Sequence, residues 1–179
     1  SQREIGVHAT SFSSALMSAL REDPDVILVG ELRDLETMSI AVTAAEMGIL
    51  VMGTLHTNGA AATVDRLVNA FPADKQPHVR TMLSTSLRGV VSQQLIPRTD
   101  KQGRVAALEI LINTPAVANL IRQGKMDQLE NAMQSGAAVG MRLMDTAIQG
   151  LLEQRQITGK EAFKKAINKS RFEQFREAS

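Results

Sequence analysis

Two short apolar segments separated by one helix-sized stretch constrain the fold of this chain most. Residues 26–29 and 49–55 are apolar runs without alternation, which is typical of parallel strands that are buried on both faces. The stretch from Leu35 to Met47 has a helical pattern, and Asp34 stands where an N-cap is expected. Strand, helix and strand at this spacing predict a βαβ unit with a right-handed crossover.

The remaining segments predict further helices and one hairpin. Helical patterns cover residues 11–21, 60–70 and 77–87, with Thr57 or Asn58 as the cap of the second. Residues 90–96 and 104–112 flank a turn-rich connector and predict an antiparallel hairpin. From Pro115 onward the pattern is helical, over residues 116–123, 126–134, 141–153 and 159–175. The chain is therefore predicted to be an α/β protein with a mixed, mainly parallel sheet, an antiparallel hairpin at its edge and a C-terminal helical subdomain.

Composition excludes several classes of function. Lys and Arg total 20 against 19 for Asp and Glu, so the formal charge of +1 gives no sign of attraction to nucleic acid or to anionic membranes. Five Phe without Trp or Tyr leave little for base stacking, so we expect no nucleic-acid partner. The absence of cysteine excludes thiolate metal sites and disulfides. The apolar runs are too short to span a bilayer, so we expect a cytoplasmic protein without direct membrane insertion.

Charged and polar residues follow both predicted parallel strands. Gly30, Glu31 and Arg33 come after the first strand, and His56 and Thr57 come after the second. Ligands of open α/β sheets bind at the carboxyl ends of the strands. A carboxylate there can hold the water shell of Mg²⁺ or orient an attacking water, and an imidazole can contact a phosphate. On the residues alone, Glu31 could equally be a solvated acid and His56 an ordinary loop residue.

A nucleotide site also needs a segment that binds phosphates. The motif G-x-x-x-x-G-K-[S/T] does not occur in these 179 residues, and the pair Gly53 and Gly59 has no Lys-Ser or Lys-Thr after it. The chain also starts abruptly at Ser1. We therefore expect it to begin inside a larger domain.

Several long motifs resemble one known family. These motifs are Gln2-Arg-Glu-Ile-Gly6, residues 19–37, Gly53-Thr-Leu-His-Thr57, Asp65-Arg-Leu-Val68, Gly103-Arg-Val-Ala-Ala107, Asn119-Leu-Ile-Arg122, Gly140-Met141 and Met144-Asp145. They resemble the secretion ATPase superfamily over nearly the whole chain. Within it, the chain is similar to the PilT-type motors that retract type IV pili and drive twitching motility.

The resemblance implies a fold, a cofactor and an assembly. The fold would be an incomplete RecA-like P-loop NTPase core over residues 1–113, with Walker B and His box but no Walker A, followed by the helical subdomain over residues 114–179. The cofactors would be ATP and Mg²⁺, and the full-length protein would form a homo-hexameric ring. Its partner would be the inner-membrane platform protein at the pilus base.

Site residues are carried over position by position. Glu31 matches the Walker B acid, which could also hold Mg²⁺ through water, and His56 matches the signature histidine of the His box. The implied catalytic residues are thus Glu31 and His56. The implied nucleotide-binding residues are Gly30, Glu31, His56, Thr57 and Arg66. The implied effector motif comprises Ala116, Asn119, Leu120, Ile121 and Arg122.

The cysteine count separates the branches of the superfamily. Pilus-extension and type II secretion ATPases generally carry a four-cysteine zinc module after the segment that matches residues 92–95, whereas this chain has a short turn there. Retraction is therefore favoured over extension. A non-enzymatic subunit that joins and modulates a motor ring is the alternative from another class.

This chain departs from the family pattern at four positions. Ala118 replaces an arginine and Gln123 an acid in the effector motif, Ile49 stands where the His box usually has an earlier histidine, and Met47 stands in place of threonine. An isoleucine can neither bond to phosphate nor carry a proton. Without a phosphate loop, the chain alone is expected not to hydrolyse ATP.

Overall fold

A computed structural model describes residues 1–100 and 102–176 as four strands and eight α-helices, joined by short 3₁₀ segments. The strands are β1 (Val26–Val29), β2 (Leu50–Gly53), β3 (Gly89–Pro97) and β4 (Arg104–Ile112). The first four helices are α1 (Phe12–Leu20), α2 (Leu35–Glu46), α3 (Ala60–Asn69) and α4 (Gln76–Ser86). The last four are α5 (Pro115–Gln123), α6 (Leu129–Ser135), α7 (Met144–Glu153) and α8 (Gly159–Lys165). The predicted α/β class is confirmed.

The strands pair in the predicted directions. Strand β1 runs parallel to β2, with Val26 opposite Leu50, and β3 runs antiparallel to β4. The described residues form two separate two-stranded sheets. The sequence pattern instead predicts that the hairpin lies at the edge of a single sheet. A groove of about 980 Å³ lies between β2 and β3 and is lined by residues of both.

The prediction that β1 and β2 are buried on both faces is wrong. Along β1 the burial alternates: Ile27 and Val29 pack with Leu16 of α1 and Ala41 of α2, whereas Leu28 is 71% exposed. Four large apolar side chains share the uncovered face, namely Val26, Leu28, Leu50 and Met52. The two helices of this chain that pack on the pair cover one face of it.

Two larger hydrophobic cores pack on the hairpin, one towards each of its ends. The first gathers helices α2 to α6 around the pair Val90 and Leu111. The second gathers α7, α8 and the C-terminal 3₁₀ segment Lys169–Phe175 around Ile96 and Ala107. The predicted helical subdomain therefore packs on the strands that precede it, and a boundary between residues 113 and 114 stays a prediction.

Several predicted helix ends are corrected. Asp34 caps α2 as predicted, and its Oδ1 accepts from the Thr37 N–H at 2.8 Å. The N-cap of α3, however, is Gly59 rather than Thr57 or Asn58, and Thr57 Oγ1 lies 2.7 Å from Thr63 Oγ1 instead. The predicted helix over 141–153 begins at Met144, and the one over 126–134 begins as a 3₁₀ turn.

The predicted single helix over residues 159–175 is also wrong, because α8 ends at Lys165. The buried carboxylate of Asp145 accepts from the Ile167 N–H at 2.7 Å and from the Asn168 N–H at 2.8 Å. These two N–H groups would otherwise bond within a continuing helix. The bonds to Asp145 hold the chain in a turn, after which Phe172 enters the second core.

Candidate functional site

The candidate site is built at the carboxyl ends of β1 and β2. Parallel strands end at the same edge of a sheet, so the residues that follow them are brought together. The Leu32 N–H donates to the Thr54 carbonyl at 2.9 Å, and the Thr54 hydroxyl donates to the Gly30 carbonyl. The two loops are therefore fastened to each other immediately beyond the strands.

Glu31 and His56 meet at this edge. His56 Nε2 lies 3.3 Å from Glu31 Oε1, and Arg33 Nε lies 2.5 Å from Glu31 Oε2. The Glu31 side chain is 20% exposed, whereas that of His56 is 86% exposed. The structure thus brings together the acid and the imidazole that the sequence analysis singled out, with the carboxylate recessed and the ring open to solvent.

A pocket of about 460 Å³ opens over these residues. Its lining is Glu31, Leu32, Arg33, Leu55, His56 and Arg66. Arg66 lies on α3, so three separate segments supply the polar groups. One carboxylate, two guanidinium groups and one imidazole surround the space, and this combination suits an anionic ligand whose position is fixed by hydrogen bonds.

The other candidate residues lie around this pocket or far from it. Gly30 contributes its carbonyl to the junction between the loops, and the Thr57 hydroxyl lies 2.7 Å from that of Thr63 on α3, so both shape the site through other residues. The effector residues belong to α5, where Ile121 is buried and Arg122 is exposed. The pocket lining contains none of the described residues of α5.

The pocket lining holds a single carboxylate, that of Glu31, so a Mg²⁺ ion there would need further ligands such as water and substrate phosphates. In the described ranges 1–100 and 102–176, no group of three or more His, Asp or Glu side chains could hold a metal ion. Mg²⁺ usually keeps several waters and binds one or two carboxylates together with substrate phosphates. The single carboxylate of Glu31 beside Arg33, His56 and Arg66 matches that arrangement.

Sequence reasoning missed the buried Glu109 of β4, whose carboxylate reaches the N-terminus of α3. Its Oε1 accepts from the Ala60 N–H at 2.7 Å, and Ser92 Oγ accepts from the Gly59 N–H at 3.1 Å. A single acid in the apolar strand 105–112 was the available signal, because a charged side chain is rarely buried without partners.

The chain matches proteins of known families over nearly its whole length. Residues 5–177 match the model of the type II/IV secretion system protein family. The chain is 56% identical over 167 residues to the twitching motility protein of Neisseria gonorrhoeae, covering 93% of this chain and 45% of that protein. It is 53% identical over 165 residues to the type IV pilus retraction ATPase PilT of Pseudomonas aeruginosa, covering 92% and 48%.

A solved structure agrees with the sequence matches. A crystal structure of the pilus retraction motor PilT with bound ADP superposes with a TM-score of 0.88 at 45% identity, covering 97% of this chain and 49% of that one. This chain therefore spans less than half the length of each of these three proteins. On the family match and on these identities, the chain belongs to the type II/IV secretion system protein family.

Proposed function

We propose that this chain is the C-terminal part of an ATP-hydrolysing motor that retracts type IV pili. The observation that carries the proposal is the approach of His56 Nε2 to Glu31 Oε1 at 3.3 Å, at the carboxyl ends of two parallel strands and beside Arg66. The relatives described as a twitching motility protein and a retraction ATPase support the choice of retraction over pilus assembly.

Glu31 is proposed to orient the water that attacks the nucleotide. When bound, ATP supplies the phosphoryl group and Mg²⁺ screens the charge that develops on it. The Glu31 carboxylate is recessed and held by Arg33, so it can accept a hydrogen bond from a water in the pocket without turning away. Its second oxygen, close to His56, would hold the Mg²⁺ shell through water.

His56 and Arg66 are proposed to contact the phosphates. In the form that carries a proton on both ring nitrogens, the exposed imidazole can donate Nε2–H to Glu31 and its other N–H to a phosphate oxygen. Arg66, reaching the same pocket from α3, offers a planar group that suits bidentate binding of phosphate. Gly30 and Thr57 complete the proposed nucleotide-binding set by fixing the two loops.

Helix α5 is proposed to pass the motor's movement to its partner. Its exposed residues include Ala116, Asn119 and Arg122, whereas Ile121 lies in the first core and Leu120 packs against it. The buried residues can fix the helix while the exposed ones contact another protein. Ala118 and Gln123 differ from the usual motif on this same helix, so they would modify the contact rather than the nucleotide pocket.

The proposed setting follows the family resemblance. The full-length protein would form a homo-hexamer in the cytoplasm and act on an inner-membrane platform protein at the pilus base, with residues 1–113 as the RecA-like part and 114–179 as the helical part. Among the residues that the structure describes, no helix is long and apolar enough to cross a membrane. Charge balance and the scarcity of aromatic residues give no support to a nucleic-acid partner.

The test is ATP hydrolysis by a protein that joins this chain to a Walker A segment, compared with this chain alone. We expect turnover in the joined protein, none in the chain alone, and a loss of about 100-fold or more on Glu31→Gln. Glu153→Gln, an exposed acid at the end of α7, is the matched control and should leave turnover unchanged. Turnover that survives Glu31→Gln would refute the assignment, and binding of ATP without turnover would favour a non-enzymatic ring subunit.

A further inference from the structure

Glu109 stands at the junction between the two large cores. On the inner face of the hairpin, Val90 and Leu111 belong to the first core, and Ile96 and Ala107 belong to the second. Glu109 lies directly opposite Ser92 between these two apolar groups, and both are buried. A charged side chain in such a place is retained only where hydrogen bonds compensate for its lost hydration.

The carboxylate bonds to the first turns of two helices. Oε1 accepts from the Ala60 N–H of α3 at 2.7 Å, and Oε2 accepts from the Met144 N–H of α7 at 3.1 Å. Both N–H groups are among those that a helix leaves unpaired at its N-terminus, where a negative charge is also favoured by the helix dipole. One side chain therefore caps a helix of each core.

The cap of α3 also fixes the loop that carries His56. Gly59 has a φ of +96°, and its N–H donates to Ser92 Oγ at 3.1 Å, so Ser92 and Glu109 together hold two consecutive N–H groups. A Cβ added at Gly59 would lie 3.3 Å from Glu109 Oε1, which leaves little room for another residue. The loop from His56 to Gly59 is thus held at its far end by the hairpin.

Helix α7 is joined to the same strand by a second contact. Arg142 and Ile110 exchange backbone hydrogen bonds of 2.8 and 2.9 Å, one residue along β4 from Glu109. Two residues later Met144 begins α7, whose Asp145 holds the turn after α8. The bond from Met144 to Glu109 thus places the start of α7 relative to the start of α3.

We propose that Glu109 is a positioning residue that fixes the His56 loop and the start of α7 with one carboxylate, and so couples the candidate site to the C-terminal helices. If the N-terminus of either helix moves, its N–H no longer donates to the Glu109 carboxylate. The hydrogen bond from the other helix to the same carboxylate then changes as well. The meaning of this coupling for the motor rests on the proposed function, but the coupling itself is a property of the chain and is measured without nucleotide.

Glu109→Gln separates this role from general stability. Glutamine has nearly the same size but a single acceptor oxygen, so it can satisfy one of the two N–H groups while its NH₂ group faces the other. Asp145→Asn is the matched control. Asp145 is equally buried and also accepts from two backbone N–H groups, but its partners, Ile167 and Asn168, belong to the segment after α8 rather than to the His56 loop.

The experiment is residue-by-residue amide hydrogen exchange of this chain by NMR, together with the ring signals of His56, at a temperature where both variants are folded. In Glu109→Gln we expect exchange at Gly59, Ala60 and Met144 to be about tenfold faster or more, and the His56 ring signals to shift. In Asp145→Asn we expect faster exchange at Ile167 and Asn168, with residues 56–61 unchanged.

Two results would overturn the proposal. One is that Glu109→Gln perturbs residues 56–61 no more than Asp145→Asn does. The other concerns Ser92→Ala, the variant to use if Glu109→Gln does not fold. This substitution removes the acceptor of the Gly59 N–H and leaves the acceptors of Ala60 and Met144 in place. Ser92→Ala should speed exchange at Gly59 and move the His56 signals while Met144 stays protected, and an unmoved loop would overturn the role assigned to this pair. Since no nucleotide is present, a failure here is distinct from a failure of the hydrolysis test.

Discussion

His56 Nε2 lies 3.3 Å from Glu31 Oε1, although 25 positions of sequence and the whole of α2 separate the two residues. The parallel pairing of β1 with β2 brings them together, because it places both strand ends at one edge. The carboxylate is recessed and the imidazole is exposed. The two groups therefore differ in their access to a ligand, and substitutions should separate their roles.

Replacing His56 by Ala should lower ATP turnover in the protein joined to a Walker A segment by about 10- to 100-fold, the effect of one lost hydrogen bond to a charged group. The imidazole is exposed and packs little, so stability should change by less than about 0.5 kcal/mol. Steady-state kinetics and thermal unfolding check the two statements. His78→Ala, an exposed histidine on α4, is the control, and an equal loss of turnover there would contradict the assignment.

Asp34 should give α2 a stabilisation that disappears in acid. The Thr37 N–H and hydroxyl, both donating to the Asp34 carboxylate, hold the pKa of this group below its ordinary value of 3.8. A lowered folded-state pKa contributes stability above the ordinary value, and the contribution is lost as the pH falls through the folded-state pKa. Asp34→Ala should cost about 1 kcal/mol at pH 7, and less in strong acid.

Urea unfolding at several pH values measures this difference. Asp34→Asn is the matched control, because its side-chain oxygen can still accept from the Thr37 N–H but carries no titrating charge. Its stability should therefore vary less than that of the parent chain between pH 4 and the folded-state pKa of Asp34. A cost of Asp34→Ala that stayed constant across this range would contradict the prediction.

Two glycines should respond to alanine in opposite directions. Gly150 lies within α7, and among the described residues nothing lies within 4 Å of an added Cβ, so Gly150→Ala should stabilise by about 0.5–1 kcal/mol. At Gly89, where β3 begins, an added Cβ would lie 2.8 Å from the Leu111 carbonyl oxygen. Gly89→Ala should destabilise by about 1–3 kcal/mol, since backbone has to move. Chemical denaturation of the two variants and the parent chain gives both signs.

Phe172 should dominate the stability of the C-terminal segment. Its side chain is fully buried in the second core, whereas the neighbouring Arg171 is exposed. Phe172→Ala should cost about 3–5 kcal/mol, and Arg171→Ala less than about 0.5 kcal/mol. Thermal unfolding checks both values. Equal effects would mean that the 3₁₀ segment is not anchored through this ring.

Local patterns were sufficient to predict several parts of the molecule. The bounds of β1, the N-cap Asp34 and the antiparallel hairpin follow from residues close in sequence. The meeting of Glu31 with His56 also followed, because it needs only the rule that parallel strands end at one edge. The catalytic and binding roles of these residues stay predictions.

Long-range contacts explain what local patterns missed. Gly59, rather than Thr57 or Asn58, is the N-cap of α3. Glu109 accepts from the Ala60 N–H, 49 residues away in sequence, and so supplies the acceptor that a cap side chain would otherwise provide. The predicted helix over 159–175 breaks because Asp145 takes two of its N–H groups. No window around residues 57 or 167 contains the acids that decide these two positions.

The uncovered face of β1 and β2 has a consequence for handling this chain in solution. Leu28 and Met52 lie next to each other on that face, and β2 has β1 as its one strand neighbour in the described ranges. An exposed apolar face beside an unpaired strand edge favours association with a second copy of the chain and then aggregation. Self-association of this chain that strengthens with salt and lacks a fixed stoichiometry is therefore expected from this face, and it should not be counted as ring assembly.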